Sequence, residues 1–264
     1  MVSENVGYLR GNVGIIPKKD KAEGVQFGGL GACADDVCGV QLSGLGAFAH
    51  GDVCGVQLSG LFAGAHGNVK GVQVGAIPIV EGNVSGVQFG GASAVVFGGD
   101  VKGVQASVSV FVAQGNVYGV QLGNFALADD VYGVQFGGGA IAHGDVRGFQ
   151  FGGLSAAIAE GDVKGVQFGG LGAIANGNVY GVQAGLASIA YSDIRANGNV
   201  YGVQAGLVTV AKGERSAGRQ FGLLLWGPGN AWWNPSVGYQ KLEPGKKVKP
   251  LGTLERLVKK LLGR

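Results

Sequence analysis

The sequence predicts an all-β fold: a β-solenoid of about thirteen coils of ~16 residues, with a short C-terminal capping helix. Three observations lead there. Thirteen glutamines recur along the chain (Gln26, Gln41, Gln57, Gln73, Gln88, Gln105, Gln121, Gln135, Gln150, Gln167, Gln183, Gln204 and Gln220), at intervals of 14 to 17 residues with one of 21. Around most of them the chain repeats G-[DN]-V-x-G-V-Q-[FL]-G, followed by a small, apolar stretch. The column before the Gly-Val-Gln reads Cys38, Cys54, Lys70, Ser85, Lys102, Tyr118, Tyr132, Arg147, Lys164, Tyr180, Tyr201, with no odd–even alternation. The alternative for such a repeat is a closed antiparallel β-barrel, in which successive strands reverse and odd and even repeats should differ at their turns. Equivalent repeats are what stacked coils produce.

Each repeat supplies two strands and two breaks. The run V-x-G-V-Q-[FL] makes one strand, and the run typified by L-G-A-I-A makes the other. Gly-Asp or Gly-Asn, as at Gly51-Asp52 and Gly67-Asn68, forms one break and is expected to use left-handed backbone. Gly-Gly or Ser-Gly forms the second break. Of the six prolines only Pro78 lies between residues 24 and 211, as expected where backbone N–H groups feed a ladder. The 55 glycines among 264 residues accompany 46% hydrophobic content, which a disordered Gly-rich linker lacks.

The facing of the glutamines is the main choice left open by the pattern. Strict alternation places Val40, Leu42 and the Cys/Lys/Tyr column on one face, and Val37, Gly39 and Gln41 on the other. Lys and Tyr favour water, whereas Val and Leu favour a core. A bulge at Gly39 resolves the conflict, turning Val37, Val40 and Leu42 inward and Gln41 outward, and this is the preferred reading. The competing arrangement buries the glutamines as an amide ladder beside the glycines.

Three regions follow: an N-terminal entry or cap segment (1–23), the repeat array (24–222), and an aromatic, Pro-rich and basic C-terminal cap (223–264). Thr253 is placed to N-cap a helix over about 254–262, with Leu254, Leu257, Val258, Leu261 and Leu262 on one stripe. That helix and the tryptophans are expected to cover the last coil. The same region offers a partner or membrane contact through Trp226, Trp232, Trp233, Lys246, Lys247, Lys249, Arg256, Lys259 and Lys260.

Charge is unevenly divided. Residues 1–211 carry 9 Lys/Arg against 14 Asp/Glu, and residues 212–264 carry 11 against 3. An acidic array disfavours nucleic acid. Self-association or a protein partner is expected, with a membrane surface as a further contact for the basic tail. Residues 1–20 lack a basic start followed by a continuous apolar core, so no signal peptide is visible. A cytoplasmic location follows if the chain is complete, and a cell-surface or secreted one if a leader was removed.

No chemistry emerges from the motifs. No Gly-Lys-Ser/Thr phosphate loop is present, and the nine-residue calcium-roll spacing is absent. His50, His66 and His143 precede turns, and His50 and His66 with Asp52, Cys38 and Cys54 have no recognised ligand spacing. No catalytic, cofactor or metal residue is assigned, and the chain is expected not to be an enzyme.

Residues 39–73, with the repeated NGNVYGVQAGL at 176–186 and 197–207, resemble the G-x-Q-x-G-L repeats of bacterial surface-repeat proteins of the leptospiral type. The resemblance spans about residues 24–222 and implies a repeat array, a surface setting and no catalytic residues. A looser likeness to bactofilin-type cytoskeletal solenoids implies end-to-end assembly. The expected function is a structural or interaction scaffold. A membrane β-barrel pore with a Gln-lined lumen is the alternative, and a carbohydrate-binding or carbohydrate-active solenoid is third.

Overall fold

The computed structural model describes residues 9–12, 15–16, 21–190, 198–212, 215–227 and 236–244. The chain divides into two compact units, Met1–Gly133 and Val134–Arg264. Each is a β-solenoid, and among the described residues there is no helix.

In the first unit the Gln-bearing strands stack in parallel and in register, from Lys21–Gly28 through Asp36–Ser43, Val53–Ser59, Val69–Gly75, Val84–Gly90 and Val101–Ser107 to Val117–Ala128, and Leu9–Asn12, which has Arg10 in the Gln position, pairs with the first of them. The short strands, such as Gly46–Ala49, Phe62–Ala65 and Ile77–Val80, form a second parallel stack. Each residue pairs with its equivalent one coil later, so Val meets Val, Gly meets Gly and Gln meets Gln. Parallel in-register pairing of successive repeats excludes the up-and-down barrel, and with it the pore.

The second unit repeats the scheme over Val146–Gly152, Val163–Ala175, Val179–Ala190, Val203–Ala205 and Arg219–Trp226. The 21-residue interval between Gln183 and Gln204 is absorbed after Ala190, and the two glutamines still pair in register. At the far end Ser236–Lys241 pairs antiparallel with Arg219–Trp226. A strand therefore pairs along this edge. The expected helix at 254–262 lies outside the described residues.

The strands alternate strictly, and this corrects the preferred sequence reading. Val37 and Gln41 point inward and are fully buried, while Cys38, Val40 and Leu42 point outward. There is no bulge at Gly39. Most interior positions hold nothing larger than Val or Gln. At Gly90 a Cβ would run into the carbonyl of Ser93 on the facing short strand. Its filling is small: Val53, Val69 and Val84 from one wall, Ala47, Ala49, Ala63 and Ala65 from the other. Phe111 is the large exception in the first unit, packed with Ala94 and Ala126 where Gly123 leaves room for its ring.

The Gly-Asp/Asn corner also works differently from expectation. Gly51 and Gly67 do not adopt positive φ, although Gly198 before Asn199 does at 47°, so left-handed backbone is not what generally selects the Asp or Asn. Its side-chain oxygen instead accepts the backbone N–H of the equivalent residue in the next coil. Asn68 N–H donates to Asp52 Oδ1 at 2.7 Å, Asn83 N–H to Asn68 Oδ1 at 3.0 Å, and Asp100 N–H to Asn83 Oδ1 at 2.8 Å. Asp162 and Asn178 do the same in the second unit. Asp and Asn share that acceptor, which explains why they interchange along the column. Asp52→Asn is therefore expected to leave stability within about 0.5 kcal/mol, whereas Asp52→Ala costs about 1–2 kcal/mol by orphaning the Asn68 amide. Urea denaturation of both variants checks this. Equal losses would remove the acceptor role.

Candidate functional site

All thirteen glutamines are buried. Within each unit the described ones form a hydrogen-bonded column. In the first, Gln41 Nε2 donates to Gln26 Oε1, Gln57 to Gln41, Gln73 to Gln57 and Gln88 to Gln73, each at 2.9 Å. In the second, Gln167 donates to Gln150 at 2.8 Å, Gln183 to Gln167 at 2.9 Å and Gln204 to Gln183 at 2.9 Å. The remaining amide hydrogen reaches the facing strand: Gln57 Nε2 to Gly64 O at 3.1 Å and Gln150 Nε2 to Ile158 O at 2.9 Å. Each amide thus ties its own coil to the preceding one and one wall to the other. Inside the column, as at Gln57, Oε1 accepts once and Nε2 donates twice, which is how so polar a side chain is buried at tolerable cost. These residues are structural, and they offer nothing to a ligand.

The outward columns are what the molecule presents. Here the large apolar side chains stand in water: in the first unit Phe27, Leu30, Leu45, Phe48, Leu61, Phe62, Phe89 and Phe125, in the second Phe136, Leu154, Phe168, Leu171, Leu186, Leu207 and Leu223. Parallel in-register strands stack like on like. Phe136, Phe151 and Phe168 form a ring stack with centroids 4.6 and 5.1 Å apart and planes within 6°. Lys164 lies 5.7 Å from the ring of Tyr180, which stacks on Tyr201 at 4.9 Å. The first unit carries its own version, Lys102 against Tyr118 and Tyr118 against Tyr132. The Tyr180 phenol is held above its ordinary pKa by desolvation first, then by the Asp162 carboxylate and Tyr201. Rings stacked along the coil direction turn their edges outward, so they make no flat platform for a sugar.

In the first unit Phe48, Phe62, Ile77 and Ile79 line a shallow apolar groove, with His66 and Glu81 paired at 2.8 Å on its rim. His50 and His66 have ring centroids 5.8 Å apart. Cys38 and Cys54 are in-register neighbours on the other wall, and none of the three cysteines is disulfide-bonded. No group of three or more His, Cys, Asp and Glu side chains converges among the described residues. The side chain of Trp226, and Trp232, Trp233, Lys246, Lys247, Lys249, Arg256, Lys259 and Lys260, lie outside the described residues.

The outward apolar columns are the feature that sequence reasoning misassigned. Their signal was present in the strict V-x-G-V-Q-[FL] alternation, which places Val and Phe or Leu with Lys and Tyr. Comparison with known proteins finds no matching family model, no matching curated protein and no matching solved structure.

Proposed function

We propose that this chain is a non-enzymatic structural or interaction scaffold, one that works through its outer walls and self-associates. The observation that carries the reading is the inverted distribution of side chains. Small residues and amides fill the interior, and Phe, Leu and Val are arrayed outside in continuous columns. Isolated exposed leucines are ordinary, but contiguous apolar surface on a soluble monomer is limited and larger patches mark interaction sites. A β-solenoid is consistent with such a role, and the motif likeness to surface-repeat proteins supports an exposed setting.

Charge supplies a route to self-association. The basic 212–264 segment, with 11 Lys/Arg against 3 Asp/Glu, complements the acidic 1–211 segment of a neighbouring copy. Sedimentation velocity over a concentration series at low and high salt tests this. Concentration-dependent association that weakens with salt is expected, since exposed charges are screened beyond about 8–10 Å at physiological ionic strength. A strict monomer in both conditions overturns self-association.

A further inference from the structure

On the outer face of the first unit Glu23, Cys38, Cys54 and Lys70 follow one another, coil by coil, in one in-register column. Cys38 is half-buried and Cys54 is exposed. We propose that these two thiols form a two-coordinate site for a soft monovalent cation of the Cu(I) class, bridging two adjacent coils. The site does not depend on what the scaffold binds elsewhere.

The ladder sets the spacing of the two sulfurs. Equivalent residues on paired strands stand about 4.8 Å apart. The coils cannot close further beside the cysteines, because the backbone there is already in contact: a Cβ on Gly55 would fall on the carbonyl oxygen of Gly39. A disulfide asks for Cβ atoms about 3.8 Å apart, closer than side chains leaving such a ladder side by side. A thiolate bonds a metal such as zinc at about 2.3 Å, so a linear sulfur–metal–sulfur unit spans about 4.6 Å. The ladder therefore suits a metal between the sulfurs better than a bond between them.

Ligand number then selects the ion. Among the described residues no third His, Cys, Asp or Glu converges with the pair, so an ion that takes four protein ligands, such as structural Zn(II), is poorly served. Asp36 and Asp52, two residues before the cysteines, are occupied at the corner. Asp36 Oδ1 accepts the Asp52 N–H at 2.9 Å, and Asp52 Oδ1 accepts the Asn68 N–H at 2.7 Å. Cys33 belongs to the other wall, where its strand neighbour is Phe48. Thiolates are soft ligands and favour Cu(I). Each thiol gives up its proton to solvent on binding, so two thiols and one Cu(I) yield a singly negative complex and two protons, with no change of oxidation state. Lys70, next in the column, places a positive charge beside Cys54, while Glu23 opposes it on the Cys38 side. Both charges are exposed and screened, so the affinity lies in the metal–sulfur bonds.

Titration of the reduced full chain, without oxygen, into the coloured Cu(I)–bicinchoninate complex tests the site. The wild type is expected to withdraw one equivalent of copper per chain, and Cys33→Ser to do the same. Cys38→Ser and Cys54→Ser should each withdraw none, because one thiolate cannot compete with the chelator. Serine already stands in this column at Ser85, so both variants should melt as the wild type does. X-ray absorption at the copper edge of the loaded wild type should show two sulfur neighbours and no nitrogen. Full withdrawal by either single variant, or its loss in Cys33→Ser, overturns the assignment. Nitrogen neighbours would move the copper to His50 and His66, and overturn it as well. A wild type that withdraws no copper sinks the proposal, and if oxidised glutathione then joins Cys38 to Cys54, releasing two reduced glutathiones, the pair is a disulfide site instead. None of these results bears on self-association, which the sedimentation series decides separately.

Discussion

Gly86→Ala is expected to cost the first unit on the order of 5 kcal/mol, comparable to the whole stability of many domains. Gly86 sits at φ 139°, in a region that L residues rarely adopt. Strain there is about 1–3 kcal/mol. The larger cost is steric. A Cβ on Gly86 would fall on the carbonyl oxygen of Gly71 in the preceding coil, far inside van der Waals contact, and that oxygen belongs to backbone held in the parallel ladder. Two neighbours in the sequence separate these effects. Gly98 shares the positive φ, at 71°, but a Cβ there meets only the Glu81 carbonyl oxygen at 3.9 Å. Gly98→Ala should therefore show strain alone, about 1 kcal/mol. At Gly91 neither problem exists, since the nearest heavy atom is Ala76 Cα at 3.5 Å. Gly91→Ala should be neutral, or stabilising by up to about 0.5–1 kcal/mol through the unfolded chain. Urea denaturation of the three variants gives the ranking. A Gly86→Ala protein as stable as Gly98→Ala would mean that the coils can spread, and the tight stack described here would be wrong. Because a solenoid couples each coil mainly to its neighbours, the loss should appear as local melting around residues 71–103 before global unfolding.

The period of the chain was legible because translation along a parallel stack forces equivalence, and equivalence is what a repeat records. The two strands, the two breaks and the parallel architecture all follow from it. Which side of the wall the glutamines face did not follow, because that depends on how far apart the two walls stand. The decisive fact is spatial. At Gly90 the facing Ser93 carbonyl leaves no room even for a Cβ, and most interior positions hold only Ala, Val or Gln. Hydropathy alone argued the opposite, assigning Val40 and Leu42 to the core by the habit of soluble proteins with thicker interiors. The corner Asp and Asn were found for a reason that proved wrong: they bind the next coil's amide instead of permitting left-handed backbone. The antiparallel strand Ser236–Lys241 is not a copy of the repeat, so the period does not reveal it, although Ser-Val-Gly-Tyr-Gln-Lys alternates as a strand should. The outward apolar columns were hidden for the same reason as the buried glutamines, since one cannot be placed without the other.

That coupling gives the second large prediction, in which a polar residue matters to the fold more than its aromatic neighbour. Gln88 is fully buried, donates to Gln73 Oε1 at 2.9 Å and accepts from Gln105 Nε2 at 2.8 Å. Phe89, next in the chain, faces out and is 45% exposed. Gln88→Leu keeps most of the volume but interrupts the column on both sides. The acceptor on Gln73 and one donor on Gln105 lose their partner at fully buried positions, and the cost is about 2–4 kcal/mol. Phe89→Ala removes surface that is half wet already and should cost about 1 kcal/mol or less. Gln88→Glu adds a pH signature. A carboxylate can still accept from Gln105, but it faces the Gln73 oxygen without a proton to share, and burial disfavours its charge. Its folded pKa is therefore raised above the ordinary value of about 4.3. Below that ordinary value the acid is protonated in both states and the variant is at its most stable. Stability is lost as pH rises through the folded pKa, and the loss is complete only above it. Thermal melts from pH 3.5 to 8 distinguish the outcomes. If the Gln88→Glu variant follows the wild type across that range, the carboxylate is reaching water, and the dry amide column is not the element that joins the walls.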